Sequence, residues 1–307
     1  MYEKRLHNLF NNLREVGCEQ ALIVNPIHIY YFTGFYSDPH ERFMGLFLKP
    51  QGDLLLIVPE LEVEHARQLS QLPLTILGYG DAEGPLDAIR TWFQGAKGEI
   101  AFGVEKDVLT LSRSQLLETV HPQLHYLEIG DKISQLRLVK EPDEIEKLAA
   151  AAQLGDEVLA AGLKQVKRGM SERQLVAELD YNAKRLGADE MAFSTMVLVG
   201  ANAALPHGIP GSTTVEDGQF LLIDMGVRLH GYNSDITRTF VIGKADRKQR
   251  EVYQVVREAE EKAIAAVQIG QTLASIDGVA RQHIAAHGYG DYFIHRLGHG
   301  LGMESHE

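Results

Sequence analysis

Apolar positions along the chain change period several times, and each change marks an element. Leu6, Leu9, Phe10, Leu13 and Val16 recur at helical spacing and are followed by Gly17, which predicts an amphipathic helix over residues 3–16 with a glycine stop. QALIVN then reads as a strand broken at Asn25-Pro26, and the aromatic run IYYFTGFY as the connection to a second strand, RFMGLFLK. A Pro-Gln-Gly turn and a third strand, DLLLIVP, complete a hairpin. Residues 60–71 and 85–94 read as helices, EIAFGVE as a strand, SRSQLLETV as a helix and HYLEIG as a short final strand. This alternation predicts a sheet with helices packed on it.

The pattern shifts at LRLVKEPDEIEKL, where a short charged connection enters a long helix with Pro142 near its first turn. A junction near residue 135 gives two domains, 1–134 and 135–307. A helix over 143–167 stops before Gly169, and Ser171 with Gln174 forms a capping box that opens a helix ending at Leu186 before Gly187. Strand-like MVLVG leads into ANAALPHGIPGSTTVEDG, too rich in Gly and Pro for regular structure. Next comes LLIDMGVRLHGYNSDITRTF, in which a buried strand, a Gly-Tyr-Asn-Ser turn and the run ITRTFVI make a hairpin. Two helices follow, over 246–268 and 272–286, with Gly270 and Gly288 as their stops.

Composition narrows the function classes. With 307 residues, 45% hydrophobic and 23% charged, the chain has material for two globular cores. Thirty basic against 42 acidic residues give a formal charge of −12, which repels phosphate backbones, and no Lys/Arg run offsets it, so no nucleic-acid partner is expected. The single cysteine, Cys18, cannot form an internal disulfide, which suits a reducing compartment. The N-terminus MYEKRLHNLF is charged where a signal peptide is apolar, and no apolar run approaches about 18 residues. A cytoplasmic protein without a membrane partner is expected.

Candidate chemistry centres on the hairpin, where Asp224 follows Leu221, Leu222 and Ile223 and Asp235 opens the second strand. An isolated buried carboxylate costs several kcal/mol unless paired or metal-bound, so two acids flanking one hairpin ask for a shared cation. Of 13 histidines, His7, His28, His40, His65, His121, His125, His230, His283 and His287 occupy ordinary helix, turn or strand-end contexts. The other four lie among glycines: His207 in LPHGIPG, and His295, His299 and His306 in HRLGHGLGMESHE. His295 and His299 have the spacing of helical zinc ligands, but Gly298, Gly300 and Gly302 argue against a helix there. Alone, Asp224 reads as a strand-end acid and Asp235 as a turn residue. Together with a glycine-flanked histidine they form an O/N donor set suited to Mn, Co or Zn.

DMGVRLHGYNSDITRTF and HRLGHGLGMESHE resemble the two most specific motifs of the pita-bread metallopeptidases, in the branch of Xaa-Pro dipeptidase (prolidase) and aminopeptidase P, and the resemblance covers the whole chain. It implies an α/β (α+β) fold in which a creatinase-type N-terminal αβ domain precedes an incomplete pita-bread catalytic domain. It makes Asp224, Asp235 and His299 metal ligands, with Asp235 bridging two divalent ions, Mn being expected and Co or Zn the alternatives. His207 and His306 match the substrate-side histidines, and His295 a histidine of the substrate pocket. The implied reaction is hydrolysis of the peptide bond preceding proline in dipeptides or short peptides, by a hydroxide bridging the two metals, in a homodimer. The family site also uses two glutamates that lie beyond the segment matching His306 and Glu307, and Glu190, Glu216, Glu304 and Glu307 do not have the context to replace them. The 307 residues are therefore expected to be part of an active peptidase. The alternatives are a non-catalytic peptide- or protein-binding module on the same fold and a creatinase-like hydrolase, which uses histidine without metal.

Overall fold

The structure, a computed structural model, describes all 307 residues, and these divide into two compact units, Met1–Val139 and Lys140–Glu307. In chain order the first contains α1 (Tyr2–Glu15), β1 (Gln20–Ile23), α2 (Pro26–Thr33), β2 (Gly45–Leu48), β3 (Leu54–Pro59), α3 (Val63–Leu69) and β4 (Thr75–Tyr79). It continues through α4 (Leu86–Trp92), β5 (Ile100–Val104), α5 (Leu111–Val120), β6 (Leu124–Glu128) and α6 (Gly130–Leu138). The six strands form one sheet in the order β4-β3-β2-β1-β5-β6. β1, β2 and β3 pair antiparallel, whereas β3 with β4, β1 with β5 and β5 with β6 pair parallel. Every residue of β2 is buried, as expected of a strand covered on both faces. Phe47 and Phe102 sit in a cluster with Leu22, Ile57, Trp92 and Phe93.

Three elements of this unit differ from expectation: β4 and α6 form where the sequence predicts no element, and α2 replaces connecting chain. Asn25-Pro26 ends β1 and also begins α2, so the start of the aromatic run is helical rather than connecting chain. The Asn25 side chain accepts from the Ile27 N–H at 2.9 Å, Pro26 stands in the first turn where no N–H is required, and Gly34 closes the helix at φ +80°. Ile29, Tyr31, Phe32 and Thr33 are all buried. A helix that is apolar around most of its circumference shows no 3.6-residue period.

The second unit contains α7 (Pro142–Leu163), α8 (Glu172–Leu186), β7 (Glu190–Met191), β8 (Met196–Val199), β9 (Phe220–Met225), β10 (Val227–Leu229), β11 (Tyr232–Asn233), β12 (Ile236–Val241), α9 (Arg247–Ala266) and α10 (Leu273–Ala286). The Ser171–Gln174 capping box forms, and Gly187 closes α8 at φ +101°. A second box, Glu141 with Glu144, opens α7. One three-stranded sheet runs β12-β9-β8 and another β11-β10-β7, antiparallel throughout. Leu221, Ile223 and Met225 point from β9 into a core with Val158, Leu175 and Val197. α9 and α10 share a smaller cluster of Val255, Ala259, Ala263, Ala280 and Ile284. No helix is long and apolar enough to cross a membrane.

β9 and β12 do pair antiparallel, but the link between them is not a four-residue turn. It is a second hairpin, β10–β11, which reverses at His230 and Gly231, both at positive φ (+53° and +80°), and adds to β7. At its base the chain crosses itself: a Cβ on Gly226 would run into the carbonyl oxygen of Ser234. The Ser234 N–H donates to Val227 O at 2.8 Å, and the Val227 N–H donates to Ser234 Oγ at 3.0 Å.

Candidate metal and substrate site

Asp224 lies inside β9 and not at its end. Alternation along the strand turns Leu221, Ile223 and Met225 to the core and Leu222 and Asp224 to the opposite, half-buried face. Register places Thr237 of β12 across from Asp224, and the Thr237 hydroxyl donates to Asp224 Oδ1 at 2.8 Å. Asp235 stands between β11 and β12 with its side chain 25% exposed. Burial first, and the charge of Asp224 second, raise the Asp235 carboxyl above its ordinary value, while His299 and His306 pull it down.

The histidine segment has no helix or strand after Tyr292 and is held by specific contacts. Glu307 Oε1 accepts from the Met303 and Glu304 N–H groups at 2.8 and 3.2 Å, and the Glu307 N–H donates to Gly300 O at 3.1 Å. Lys140 Nζ lies 2.7 Å from Glu307 Oε2 in a largely buried pair. A Cβ on Gly300 would collide with the Glu307 backbone, so close packing requires glycine there, whereas at Gly302 it would meet only the end of the Glu307 side chain. Asn233 fastens this loop to the hairpin: its N–H donates to Gly302 O at 2.8 Å, and its Nδ2 donates to Met303 O at 3.2 Å and Ser305 Oγ at 3.3 Å.

The result sets His299 Nε2 3.4 Å from Asp235 Oδ2 and brings the His299 ring centroid to 4.0 Å from that of His306, the two planes inclined by 51°. His299 Nδ1 lies 2.9 Å from Gly300 O. A carbonyl only accepts, so Nδ1 carries a hydrogen, and Nε2 is the ring nitrogen turned towards the Asp235 carboxylate. Lone pair against carboxylate is repulsive unless a proton or cation lies between them. A ring nitrogen fixed by a carbonyl on its other side is also the usual arrangement of a metal-ligating histidine. The donor set therefore fits a divalent cation. As placed, no three His, Cys, Asp or Glu side chains close to coordination distance, and Asp224 joins the other two through its field and not through contact.

His207 and His295 come together in a cleft of about 710 Å³ that also includes Leu205, Ile209 and Ile294. His295 borders a second, apolar cavity of about 850 Å³ between α9 and α10 as well. Neither histidine hydrogen-bonds to Asp224, Asp235 or His299. The pocket segment is tied to α10 by a pair not singled out from the sequence. Arg281 donates to Phe293 O at 2.7 Å and His295 O at 2.9 Å, and Asp277 Oδ2 accepts from the Leu297 N–H at 2.8 Å. Asp277 and Arg281 also bond each other one helical turn apart, at 2.8 Å. That i,i+4 spacing was readable; its second set of partners was not.

Residues 146–307 match the model of metallopeptidase family M24, and residues 5–139 that of the creatinase/prolidase N-terminal domain. An uncharacterized peptidase of Staphylococcus saprophyticus is 41% identical over 99% of this chain and 85% of its own length. The prolidase of Thermococcus sibiricus superposes with a TM-score of 0.93 at 32% identity, covering 100% of this chain and 83% of that one. The prolidase of Pyrococcus furiosus gives 0.85 at 34% identity over 97% and 84%. Both domain models and these similarities over nearly all of the chain agree, and the chain belongs to metallopeptidase family M24, with a creatinase/prolidase-type domain ahead of its peptidase domain.

Proposed function

We propose that this chain contributes the active-site framework for hydrolysis of the peptide bond preceding proline in Xaa-Pro dipeptides or short peptides. The observation that carries this reading is the approach of His299 Nε2 to Asp235 Oδ2 at 3.4 Å, beside Asp224. Asp224, Asp235 and His299 would hold divalent metal, with manganese the first choice for this O/N set. When bound, such ions supply acidity that yields a nucleophilic hydroxide at neutral pH and polarises the scissile carbonyl.

The remaining roles belong to side chains. Thr237 orients Asp224 through its hydroxyl, and Gly300 O fixes the tautomer of His299. His306, whose ring lies against that of His299, would hydrogen-bond a developing oxyanion or move a proton. His207 and His295 line the cleft and bind substrate polar groups there, with Leu205, Ile209 and Ile294 supplying apolar contact. The similar structures named as prolidases support proline as the residue after the cut bond. A homodimer is part of the same reading, and sedimentation tests it.

The deciding experiment titrates Mn²⁺ into the protein and follows a panel of Xaa-Pro and Xaa-Pro-Yaa peptides. Metal-dependent binding confined to peptides with proline in second position is expected of this chain, and their cleavage of a chain that also carries the two further family glutamates. Equal handling of peptides lacking proline, or activity that survives chelator, would remove the reading.

A further inference from the structure

The loop from Gly200 to Thr213 carries His207 and has one short 3-10 turn as its only regular structure. Both of its ends are nevertheless fastened to one side chain. Glu172, the first residue of α8, is 0% exposed, and its carboxylate meets no cation. Oε1 accepts from the Val199 N–H at 2.8 Å and from Asn202 Nδ2 at 3.0 Å, and Oε2 accepts from the Gly211 N–H at 2.7 Å. The backbone repeats the tie: the Glu172 N–H donates to Thr213 O at 3.0 Å and the Arg173 N–H to Gly211 O at 3.2 Å. Between these anchors Gly208 presses on Leu198 of β8, where a Cβ would not fit, while His207 and Ile209 remain exposed.

Burying a carboxylate without a cation is costly unless donors saturate it, and here they come almost entirely from the two ends of one loop. A loop held only for stability could be closed by apolar packing at no such cost. We propose that Glu172 is the positioning residue for His207, fixing the loop ends and thereby the place of the imidazole in its cleft. The inference rests on the reading of His207 as a substrate-side group, and its geometric half can be tested apart from that reading.

Glu172→Gln keeps the size of the side chain but turns an NH₂ towards a donor N–H. In protein labelled at histidine Cε1, this variant is expected to shift and broaden the His207 resonance while leaving those of His299 and His306 in place. The Val199 and Gly211 amides should lose roughly tenfold or more of their exchange protection. Leu175→Ala, in the core below the same helix, serves as the control for general destabilisation and leaves the His207 resonance unmoved. Folded Glu172→Gln protein with an unchanged His207 resonance overturns the proposal. Should that variant not fold, Asn202→Ala removes one donor from a partly exposed side chain and is judged by the same resonance. Binding of an Xaa-Pro dipeptide completes the test: Glu172→Gln and His207→Ala should each weaken it, and the double variant no more than His207→Ala alone. Additive losses count against positioning. Unaltered binding by His207→Ala removes the substrate-side role and leaves the resonance to decide the geometry.

Discussion

Asp235 stands under two opposing demands. Burial and the neighbouring Asp224 raise its carboxyl, so without metal the folded protein holds that proton more tightly than the unfolded chain. The sign follows from linkage: as pH rises from the unfolded value of 3.8 through the raised folded value, the fold loses stability and does not regain it above that window. Asp235→Asn in metal-free protein is therefore expected to melt higher at neutral pH, by about 2 °C, in calorimetry. The same change should weaken Mn²⁺ binding by more than the roughly 10- to 100-fold typical of outer-shell substitutions, measured by isothermal titration. A lower melting point together with intact metal affinity would contradict both halves. Thr237→Val tests the outer shell itself: loss of the hydroxyl that orients Asp224 should weaken Mn²⁺ about tenfold and leave the fold intact.

Among the elements, α8 shows what local sequence can specify. Ser171, Gln174 and Gly187 mark both ends because capping depends only on neighbours in the chain, and Ser171→Ala should cost about 1 kcal/mol in denaturant unfolding. The hairpin of acids was legible for a similar reason, since the alternation in β9 and the β-rich run of β12 each carry their own signal. The interposed β10–β11 hairpin was not. Its strands have three and two residues, too short for a period, and its turn uses His230 where Gly or Asn would advertise positive φ. α2 escaped because its apolar residues cover most of the helix surface, and the fastening of the histidine segment by Asn233 and Glu307 escaped because it joins distant segments. The Asp277–Arg281 pair yields a prediction of its own. Its hydrogen bond to Arg281 holds the Asp277 carboxyl below 3.8, with the Leu297 N–H adding to the effect. That contribution is present above the unfolded value and is lost as pH falls through the folded one. The exchange protection of the Leu297 amide, relative to its intrinsic rate at each pH, should therefore fall in acid below about pH 4 in the native protein and already at neutral pH in Asp277→Asn.

At the scale of the whole molecule, the acidic surface and the apolar face of α9 act against each other. Tyr253, Val256 and Ile264 are 48, 52 and 65% exposed, and Leu273 at the start of α10 is 86% exposed. Apolar area of this kind favours association, and a formal charge of −12 opposes it through a field that salt screens. Light scattering should show self-association rising from low to high ionic strength, and Val256→Glu with Ile264→Glu should abolish the rise. Salt-independent behaviour would mean that this face is not what associates.

Gly226 has no side chain with which to bind or react, yet its lack of a Cβ is what lets the strand bearing Asp224 and the segment bearing Asp235 pass each other. In a complete mutational scan scored by function, it should tolerate no other amino acid, a profile otherwise expected of a catalytic group. Scored instead by abundance in cells, it should fail just as completely, whereas Asp235 should not. Comparing the two maps would separate positions that perform chemistry from the one that makes room for it.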